Sequence, residues 1–434
     1  MGIRDSKIDE YINKICSRVR YKQAHNEIKE ELLGHLEEKI EDLIAEGMDE
    51  KEAVEKSLLQ MGDAEVIGKQ LNESHKAVPE VWLILLTAAL SLIGMLTIYF
   101  IVTNGLSSNS SAFYKNTIFN IFGYCIMGAL YFFNYKVLEK YSNHIYIAAT
   151  LILIFQLITG RPVNGSIRWM NLGAISMDIG EISLLLYVIA LSKILKELDW
   201  EDIKRAIYGF IIAFLPLALY ILLRTTMCFI IYLVLFLILM VSIKSKLRYI
   251  LAVMGTVLVS STYFFFSEPY RLKRFLIFLS PEKDPLGAGY LNFQIGKVLK
   301  SVGVLGNGFN FPNTVPEVQN DYVLTYIIYT FGWIGGIAVI ALAFAFIIRM
   351  FMAARKVKDR FGSLIIQGFM CVFAVKFIWN ILMILGFLPI VGVSLPFISY
   401  GGTGAVTQMA AVGIILSIYK RKNLSNMTMN SVKN

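Results

Sequence analysis

A glycine-rich stretch of the sequence brings a carboxylate and several cations close together. It reads PEKDPLGAGYLNFQIGKVLK, residues 281–300. Asp284 precedes a proline, which favours an extended backbone, and the glycines that follow would let a ligand approach the main chain closely. Gln294, Lys297 and Lys300 recur at helical spacing, so they can share one side of a helix. An Asp-Pro pair alone is most often an ordinary turn, but its convergence with cations and glycines favours a functional surface.

Another candidate cation, Arg168, lies in the stretch RPVNGSIRWMNLG, residues 161–173. Asn164 followed by glycine predicts a tight turn. Trp169 is typical of an anchor at a membrane interface. The guanidinium of Arg168 matches the oxygens of a phosphate, so this pair is a candidate binding site for an anionic headgroup.

Two ionisable residues fall within or beside apolar segments. A charge in hydrocarbon costs roughly 3 kcal/mol, so such residues are functional candidates. Glu181 lies near the start of an apolar segment and could simply sit at the interface. Lys376 lies deeper in its segment and needs either a partner or a water-filled cavity.

The stretch LPIVGVSLPFISYGGTGAVTQMAAVGI, residues 388–414, is apolar but interrupted by prolines and glycines. A broken helix within a membrane is tolerated where it lines a cavity or is buried in protein. Small residues can also serve close helix packing. Of the two interpretations, the cavity is favoured.

Other chemistries are less well supported. Four scattered cysteines without a CxxC spacing indicate neither a zinc site nor a disulfide framework. The four histidines all fall on the predicted cytoplasmic side, which excludes Ser/His/Asp catalysis from the opposite face.

The elements that must position these residues are membrane helices. Hydrophobic residues make up 56% of the 434 residues and charged residues 17%, outside the usual globular range on both counts. The fold class is therefore all-α and polytopic, with about ten apolar segments long enough to cross roughly 30 Å of hydrocarbon. The predicted spans are 81–103, 116–134, 143–160, 177–197, 204–223, 226–244, 248–266, 322–348, 361–388 and 397–419.

Loop charge predicts how these spans are oriented. Lys and Arg concentrate in alternate loops, which places both termini in the cytoplasm. Residues 79–422 form the predicted membrane domain. Its long loop, 267–321, then faces outward, and a loop of this length is usually functional or disordered. The excess of basic residues is better explained by orientation and lipid headgroups than by nucleic acid.

Residues 1–78 predict a small cytoplasmic helical domain. They carry 12 basic and 18 acidic side chains and no span. Asp49 is expected to cap a helix, with Glu52 at the capping-box spacing. The segment resembles the helical prefix domains of some bacterial permeases, which implies a docking module, although a simple solvated anchor is equally compatible. An apolar stripe is formed by Ile28, Leu32, Leu36, Ile40 and Leu43. The polar end, 423–434, is predicted to be a disordered tail.

Four motifs in the predicted membrane domain resemble the SEDS family of RodA, FtsW and SpoVE. The first, N-G-x-x-R-W-x-x-L-G followed by a glutamate, spans 164–181. The second, D-P-x-G-x-G-Y-x-x-x-Q, spans 284–294. The third comprises G-x-x-G-x-G at 303–308 and P-E-x-x-x-D at 316–321. The fourth, L-P-F-I-S-Y-G-G, spans 395–402 without a gap.

The resemblance implies a function. Members of the family polymerise lipid II, an undecaprenyl-diphosphate-linked disaccharide peptide, into peptidoglycan strands, usually beside a class B penicillin-binding transpeptidase. It implies that Asp284 is the catalytic residue. An inverting displacement needs such a base and a positive charge, or a divalent metal ion such as Mg²⁺ or Mn²⁺, on the departing diphosphate; no organic cofactor is expected. The implied substrate-binding residues are Arg168, Trp169, Glu181, Gln294, Lys297, Lys300, Asp321 and Ser399.

The sequence also departs from the family pattern. Asp178-Ile179-Gly180 replaces Q-P-S, Leu184 stands where a lysine is usual, and the P-D-L-G-T motif is absent. Two other functions therefore stay open. One is a transporter, or flippase, for a lipid-linked precursor. The other is a non-catalytic scaffold for division or sporulation that recruits an unknown cytoplasmic partner through residues 1–78.

Overall fold

A computed structural model gives the structure of the chain. It describes residues 6–19, 25–74, 79–107, 109–163, 165–173, 175–198, 202–244, 246–266 and 289–422, together with 276–278, 280, 284 and 287. The predicted tail 423–434 lies outside the described residues. The chain divides into two compact units, one built on 1–79 with 356–359 and the residues from 418 onward, and the other on 80–355 and 360–417.

The N-terminal unit contains four helices around one apolar core. They are α1 (Ser6–Arg18), α2 (His25–Ala45), α3 (Glu50–Met61) and α4 (Ala64–Ser74). All five residues of the predicted stripe on α2 are buried in this core, together with Ile8, Ile12 and Ile15 of α1. The predicted capping box was wrong in one respect. Asp49 is at the N-cap of α3 but its side chain makes no capping hydrogen bond.

Ten helices of the second unit lie at the ten predicted spans. Between them the described chain also forms a short helix, a two-stranded hairpin and a further helix of eleven residues. The spans are α5 (Val81–Thr103), α6 (Ala112–Phe132), α8 (Ser142–Thr159), α9 (Ile179–Glu197), α10 (Ile203–Leu222), α11 (Thr226–Ser242), α12 (Leu247–Phe266), α14 (Val323–Lys356), α15 (Arg360–Ile384) and α16 (Thr403–Lys420). The additional elements are α7 (Lys136–Lys140), β1 (Trp169–Leu172), β2 (Ile175–Asp178) and α13 (Tyr290–Lys300).

Length and composition support a polytopic membrane protein. Five described helices are long and apolar enough to cross a bilayer by these two criteria, and α11 is a shorter apolar helix. The five begin at Val81, Ser142, Lys204, Val323 and Arg360. Many large apolar side chains of α5, α6 and α8 are exposed, as expected of surfaces that face lipid.

The last two predicted spans were too long at the ends that face each other. Helix α15 stops at Ile384 and α16 starts only at Thr403, so 385–402 are non-helical. Main-chain groups of this connecting segment bond to protein: Asn380 Nδ2 donates to Val393 O at 2.7 Å, and Phe397 N donates to Gln408 Oε1 at 2.8 Å. Irregular backbone at membrane depth needs such partners, because hydrocarbon supplies none.

A proline inside α10 is compensated by two tyrosines from other helices. Pro216 has no N–H, so the carbonyl of Ile212 four residues earlier loses its helical partner. Tyr146 Oη on α8 donates to that carbonyl at 2.9 Å, and Tyr232 Oη on α11 at 3.1 Å. The freed acceptor therefore ties three helices together.

Helix α14 is broken at Gly332, whose φ of 74° lies in the left-handed region. The loop 303–308 fills the break through main-chain hydrogen bonds. Asn307 N donates to Tyr329 O at 2.8 Å, and Ile334 N donates to Val304 O at 3.4 Å. The third family motif therefore joins the long loop to the eighth span.

Candidate functional site

The hairpin β1–β2 places two opposite charges side by side. Trp169 pairs with Asp178 across the strands, and Ile179 N donates to Arg168 O at 3.0 Å. Arg168 Nε then lies 3.5 Å from Asp178 Oδ2. The Arg168 guanidinium also packs over the Trp169 ring, 5.1 Å from its centroid. The predicted headgroup cation is thus already paired with a buried carboxylate.

Asp178 also begins the helix that carries Glu181. Its Oδ1 accepts a hydrogen bond from Glu181 N at 3.2 Å, which satisfies one of the otherwise unpaired N–H groups of the first turn of α9. Its own N–H donates to Thr403 Oγ1 at 3.2 Å, at the start of α16. The hairpin, α9 and α16 therefore meet at this one residue.

Glu181 forms an ion pair with Lys376 of α15. The side chains are only 13% and 6% exposed, so the pair is removed from solvent. The sequence predicted that Lys376 needs a partner or a cavity, and the structure provides both. A cavity of about 30 Å³, enough to hold water, is lined by Glu181, Leu184, Leu185, Phe369, Val372, Phe373, Lys376, Thr407, Gln408 and Ala411.

Asp321 lies on the other side of Arg168, at Gly392 of the connecting segment. Arg168 Nη1 donates to Gly392 O at 3.4 Å. A Cβ built on Gly392 would lie 3.4 Å from Asp321 Oδ2 and 3.9 Å from Arg168 Nη2. Asn380 Nδ2 fixes the main chain here by donating to Asp321 O at 2.9 Å.

Burial sets the ionisation of Asp321. It raises the pKa of this carboxyl to about 6, and the neighbouring negative charge of Glu317 acts in the same direction while Arg168 opposes it. Arg168, Asp178, Glu181, Lys376 and Asp321 form what we call the buried charge cluster. It contains three carboxyl groups and two cations.

Asp284 belongs to a different local structure, a glycine-rich turn before α13. Its carbonyl accepts hydrogen bonds from Gly287 N at 3.3 Å and Gly289 N at 3.1 Å. Its carboxylate lies against the Cα of Gly287, because a Cβ there would be 2.4 Å from both Oδ atoms. A residue without a side chain is needed at 287 to leave the carboxylate in this position. The side chain of Asp284 is half-buried.

Helix α13 carries the remaining predicted cations. Ile295 and Val298 are buried on one side of it, while Lys297 and Lys300 are exposed and Gln294 is half-buried. Tyr290 anchors its first turn by donating from Oη to Thr314 O at 3.1 Å. The lysines therefore present charge to the surroundings of the protein.

Ser399, another predicted substrate contact, is buried in the connecting segment. Its Oγ accepts a hydrogen bond from Leu395 N at 2.9 Å, which stabilises a turn. Asn164 and Pro285, two motif positions singled out from the sequence, lie outside the described residues.

The structure thus unites Arg168, Glu181, Lys376 and Asp321, and sequence reasoning overlooked Asp178 as their link. A signal for it exists: Asp178 and Glu181 stand at the capping-box spacing directly before an apolar segment. Nothing local could have identified Asn380, Thr403 and Gly392 as neighbours, because each is distant in sequence from the hairpin.

The described residues contain no preformed metal site made of protein side chains alone. Among the described residues no three His, Cys, Asp or Glu side chains are grouped to hold an ion. A divalent cation at the diphosphate stays a prediction.

The fold and the buried charge cluster define a polytopic α-helical membrane protein with an ionic centre among its spans. Comparison with known proteins gives its family. The family model described as "Cell cycle protein", named for FtsW, RodA and SpoVE, matches residues 80–424. The chain belongs to this family.

Relatives and solved structures agree with that assignment. The chain is 26% identical to the peptidoglycan glycosyltransferase RodA of Treponema pallidum over 425 residues, which covers 79% of this chain and 98% of the relative. It is 29% identical over 301 residues to a probable peptidoglycan glycosyltransferase FtsW of Idiomarina loihiensis, covering 64% and 71%.

Two solved structures share the fold. One chain comes from work on polymerization and crosslinking by a peptidoglycan synthase complex, with a TM-score of 0.66, 21% identity and coverage of 78% of this chain and 97% of that one. The other is RodA of Thermus thermophilus, with a TM-score of 0.60, 18% identity and coverage of 78% and 96%.

Proposed function

We propose that this protein is a peptidoglycan glycosyltransferase that polymerises lipid II at the outer face of the bacterial cytoplasmic membrane, with Asp284 as general base. The observation that carries the proposal is the glycine-rich turn, in which a half-buried carboxylate rests against Gly287. The names of the relatives support the same activity.

The turn suits proton abstraction from a sugar. Asp284 accepts the proton of the acceptor hydroxyl as that oxygen attacks the anomeric carbon of the donor. The bond from this carbon to the diphosphate oxygen breaks, and the polyprenyl diphosphate leaves with the electron pair. The single displacement inverts an α-linked donor into a β-linked product.

Positive charge must stabilise the departing diphosphate. Lys297 and Lys300 on α13 are exposed and follow Asp284 closely in the chain. We assign this role to them in preference to Arg168, because Arg168 is already shared between Asp178 and the Gly392 carbonyl. Arg168 and the rest of the buried charge cluster then hold the hairpin, α9, α15 and the connecting segment in place.

The experiment compares wild type with Asp284→Ala and Asp284→Asn in detergent, with purified lipid II as substrate. We expect a loss of glycan product of about 10²- to 10⁴-fold in both variants, the range typical of a removed general base. Melting temperatures should match wild type. Equal polymer yield from either variant would reject this role for Asp284.

The partners follow from the same proposal. One structural neighbour is part of a peptidoglycan synthase complex, and we expect a class B penicillin-binding transpeptidase beside this chain as well. The activity at the outer face requires both termini in the cytoplasm, where residues 1–78 would meet a partner of their own. Cysteine labelling from either side of the membrane, at an introduced residue near Asp284, tests this orientation.

A lipid-linked precursor transporter is the second candidate, and the buried Glu181–Lys376 pair favours it. Buried ion pairs and cavities within spans are features of transport pathways. This function predicts movement of a fluorescent lipid II headgroup across liposome membranes. That movement would persist in Asp284→Ala, in contrast to polymerisation.

A further inference from the structure

We infer that Lys376 is a positioning residue for the proposed reaction, and that its charge can be moved across the cavity to position 184 with most of the activity retained. The inference deepens the proposed function and rests on it for the activity measurement only. It starts from the Glu181–Lys376 pair, which joins α9 to α15.

The pair has limited support from other groups. Glu181 Oε1 accepts a hydrogen bond from Lys376, and Glu181 Oε2 is buried, with the side chain of Gln408 beside this carboxylate. Gly404 lies against this second oxygen, since a Cβ there would be 2.9 Å from it. Lys376 thus supplies the main compensation for a buried carboxylate that also touches the start of α16. Removal of one partner would leave an uncompensated charge, which is strongly unfavourable.

A chain of contacts leads from this pair to Arg168. Glu181 N donates to Asp178 Oδ1, and Asp178 Oδ2 lies 3.5 Å from Arg168 Nε. Displacing Glu181 therefore disturbs the first turn of α9, and with it the carboxylate that orients Arg168. Lys376 touches neither Arg168 nor Asp178 in this sequence of contacts, so its effect is indirect.

Leu184 gives the inference its test. It is one helical turn after Glu181 on α9, is only 1% exposed, and lines the same cavity as Lys376. Side chains three residues apart on a helix lie on one face and can pair. A lysine at 184 can thus reach Glu181 from its own helix, through the space that methionine at 376 would leave.

The experiment compares four proteins in detergent: wild type, Lys376→Met, the double variant Leu184→Lys/Lys376→Met, and the mismatched control Leu191→Lys/Lys376→Met. Leu191 is buried on α9 but lies ten residues from Glu181 and is not among the cavity-lining residues. A lysine introduced there would lie about 15 Å from Glu181 along the helix axis.

We expect Lys376→Met to lower glycan synthesis by about 10- to 100-fold, as small misplacements remote from the chemistry do. The Leu184→Lys double variant should recover most of the activity and of the melting temperature, and the Leu191→Lys control neither. Full activity in Lys376→Met, or no better recovery from 184 than from 191, would overturn the inference. That includes the case in which all three variants fail to fold.

The melting temperatures separate this inference from the proposed function. If wild type makes no glycan, the proposed function fails. The transfer of charge is then still tested by melting temperature, which should be highest for wild type, lower for Leu184→Lys/Lys376→Met and lowest for Lys376→Met.

Discussion

Two polar regions of the membrane unit are built in opposite ways. In the buried charge cluster, the carboxylates and cations are fixed by a hairpin and by helix starts, and they pair with one another. Asp284 is half-buried in a glycine-rich turn, where main-chain hydrogen bonds fix the backbone and a missing side chain makes room for the carboxylate. The cluster is suited to holding structure, and the turn to meeting a substrate.

The first way to test this contrast is to remove the link in the cluster. Asp178→Ala deprives Arg168 of its buried partner and α9 of its cap, so we expect a loss of about 3 kcal/mol or more in stability. Asp178→Asn keeps an oxygen that accepts from Glu181 N, so this variant should be about 1 kcal/mol more stable than Asp178→Ala. Thermal unfolding in detergent measures both.

A matched change at the surface sharpens the same test. Lys297→Ala should leave the melting temperature unchanged, because substitutions of exposed side chains cost within about 0.5 kcal/mol. If Asp178→Ala proved as harmless, the cluster would not hold the fold together as the contrast requires.

The second test perturbs the turn without touching a charge. In Gly287→Ala the new methyl group would lie 2.4 Å from both carboxylate oxygens, so Asp284 must rotate away. We expect about a tenfold to 100-fold loss of glycan synthesis with little change in stability. Gly296→Ala is the control, since a Cβ at 296 meets nothing within 4 Å. Equal activity of the two variants would contradict the proposed role of the turn.

The third and smallest effect concerns pH. Burial raises the pKa of Asp321 to about 6, above the ordinary value of 3.8, so the folded protein holds this proton more tightly than the unfolded chain. Stability from this group is therefore present at low pH and is lost as pH rises from about 4 through 6. Because the Asp321 side chain is partly exposed, we expect the free energy of unfolding to fall by only about 1 kcal/mol over this pH range.

Asp321→Asn isolates that contribution. As pH rises from 4 to 7, the melting temperature of wild type should fall relative to that of Asp321→Asn. All other groups titrate alike in the two proteins. A difference that is constant over this range, or one of opposite sign, would refute the assignment.

Much of the fold follows from the sequence because hydrocarbon imposes a simple rule. Each apolar run must be a helix about as long as the bilayer is thick, and α5 ends where the apolar residues do. The rule fails for 385–402, which carry no charged residue but are non-helical. There protein side chains such as Asn380 and Gln408 satisfy the backbone, and their position depends on the tertiary fold.

The candidate site likewise has a part that the sequence could predict and a part that depends on the tertiary fold. The sequence identified Asp284, Arg168, Glu181 and Lys376 by type and by location, because charge near a membrane is costly enough to be conspicuous. It could not pair Glu181 with Lys376, since they are 195 residues apart in the chain. Nor did it show the hairpin, whose strands have only four residues each.

The break in α14 has a consequence for which substitutions the protein tolerates. The loop 303–308 is joined to that helix by main-chain groups, which every residue except proline supplies in full. Three positions are restricted to glycine: a Cβ on Gly306 would lie 2.4 Å from Gly332 N, one on Gly332 would lie 2.0 Å from Val304 O, and Gly308 has a φ of 76°. Val304 and Leu305, both exposed, can therefore be exchanged for other side chains while the main-chain joint between loop and helix is preserved.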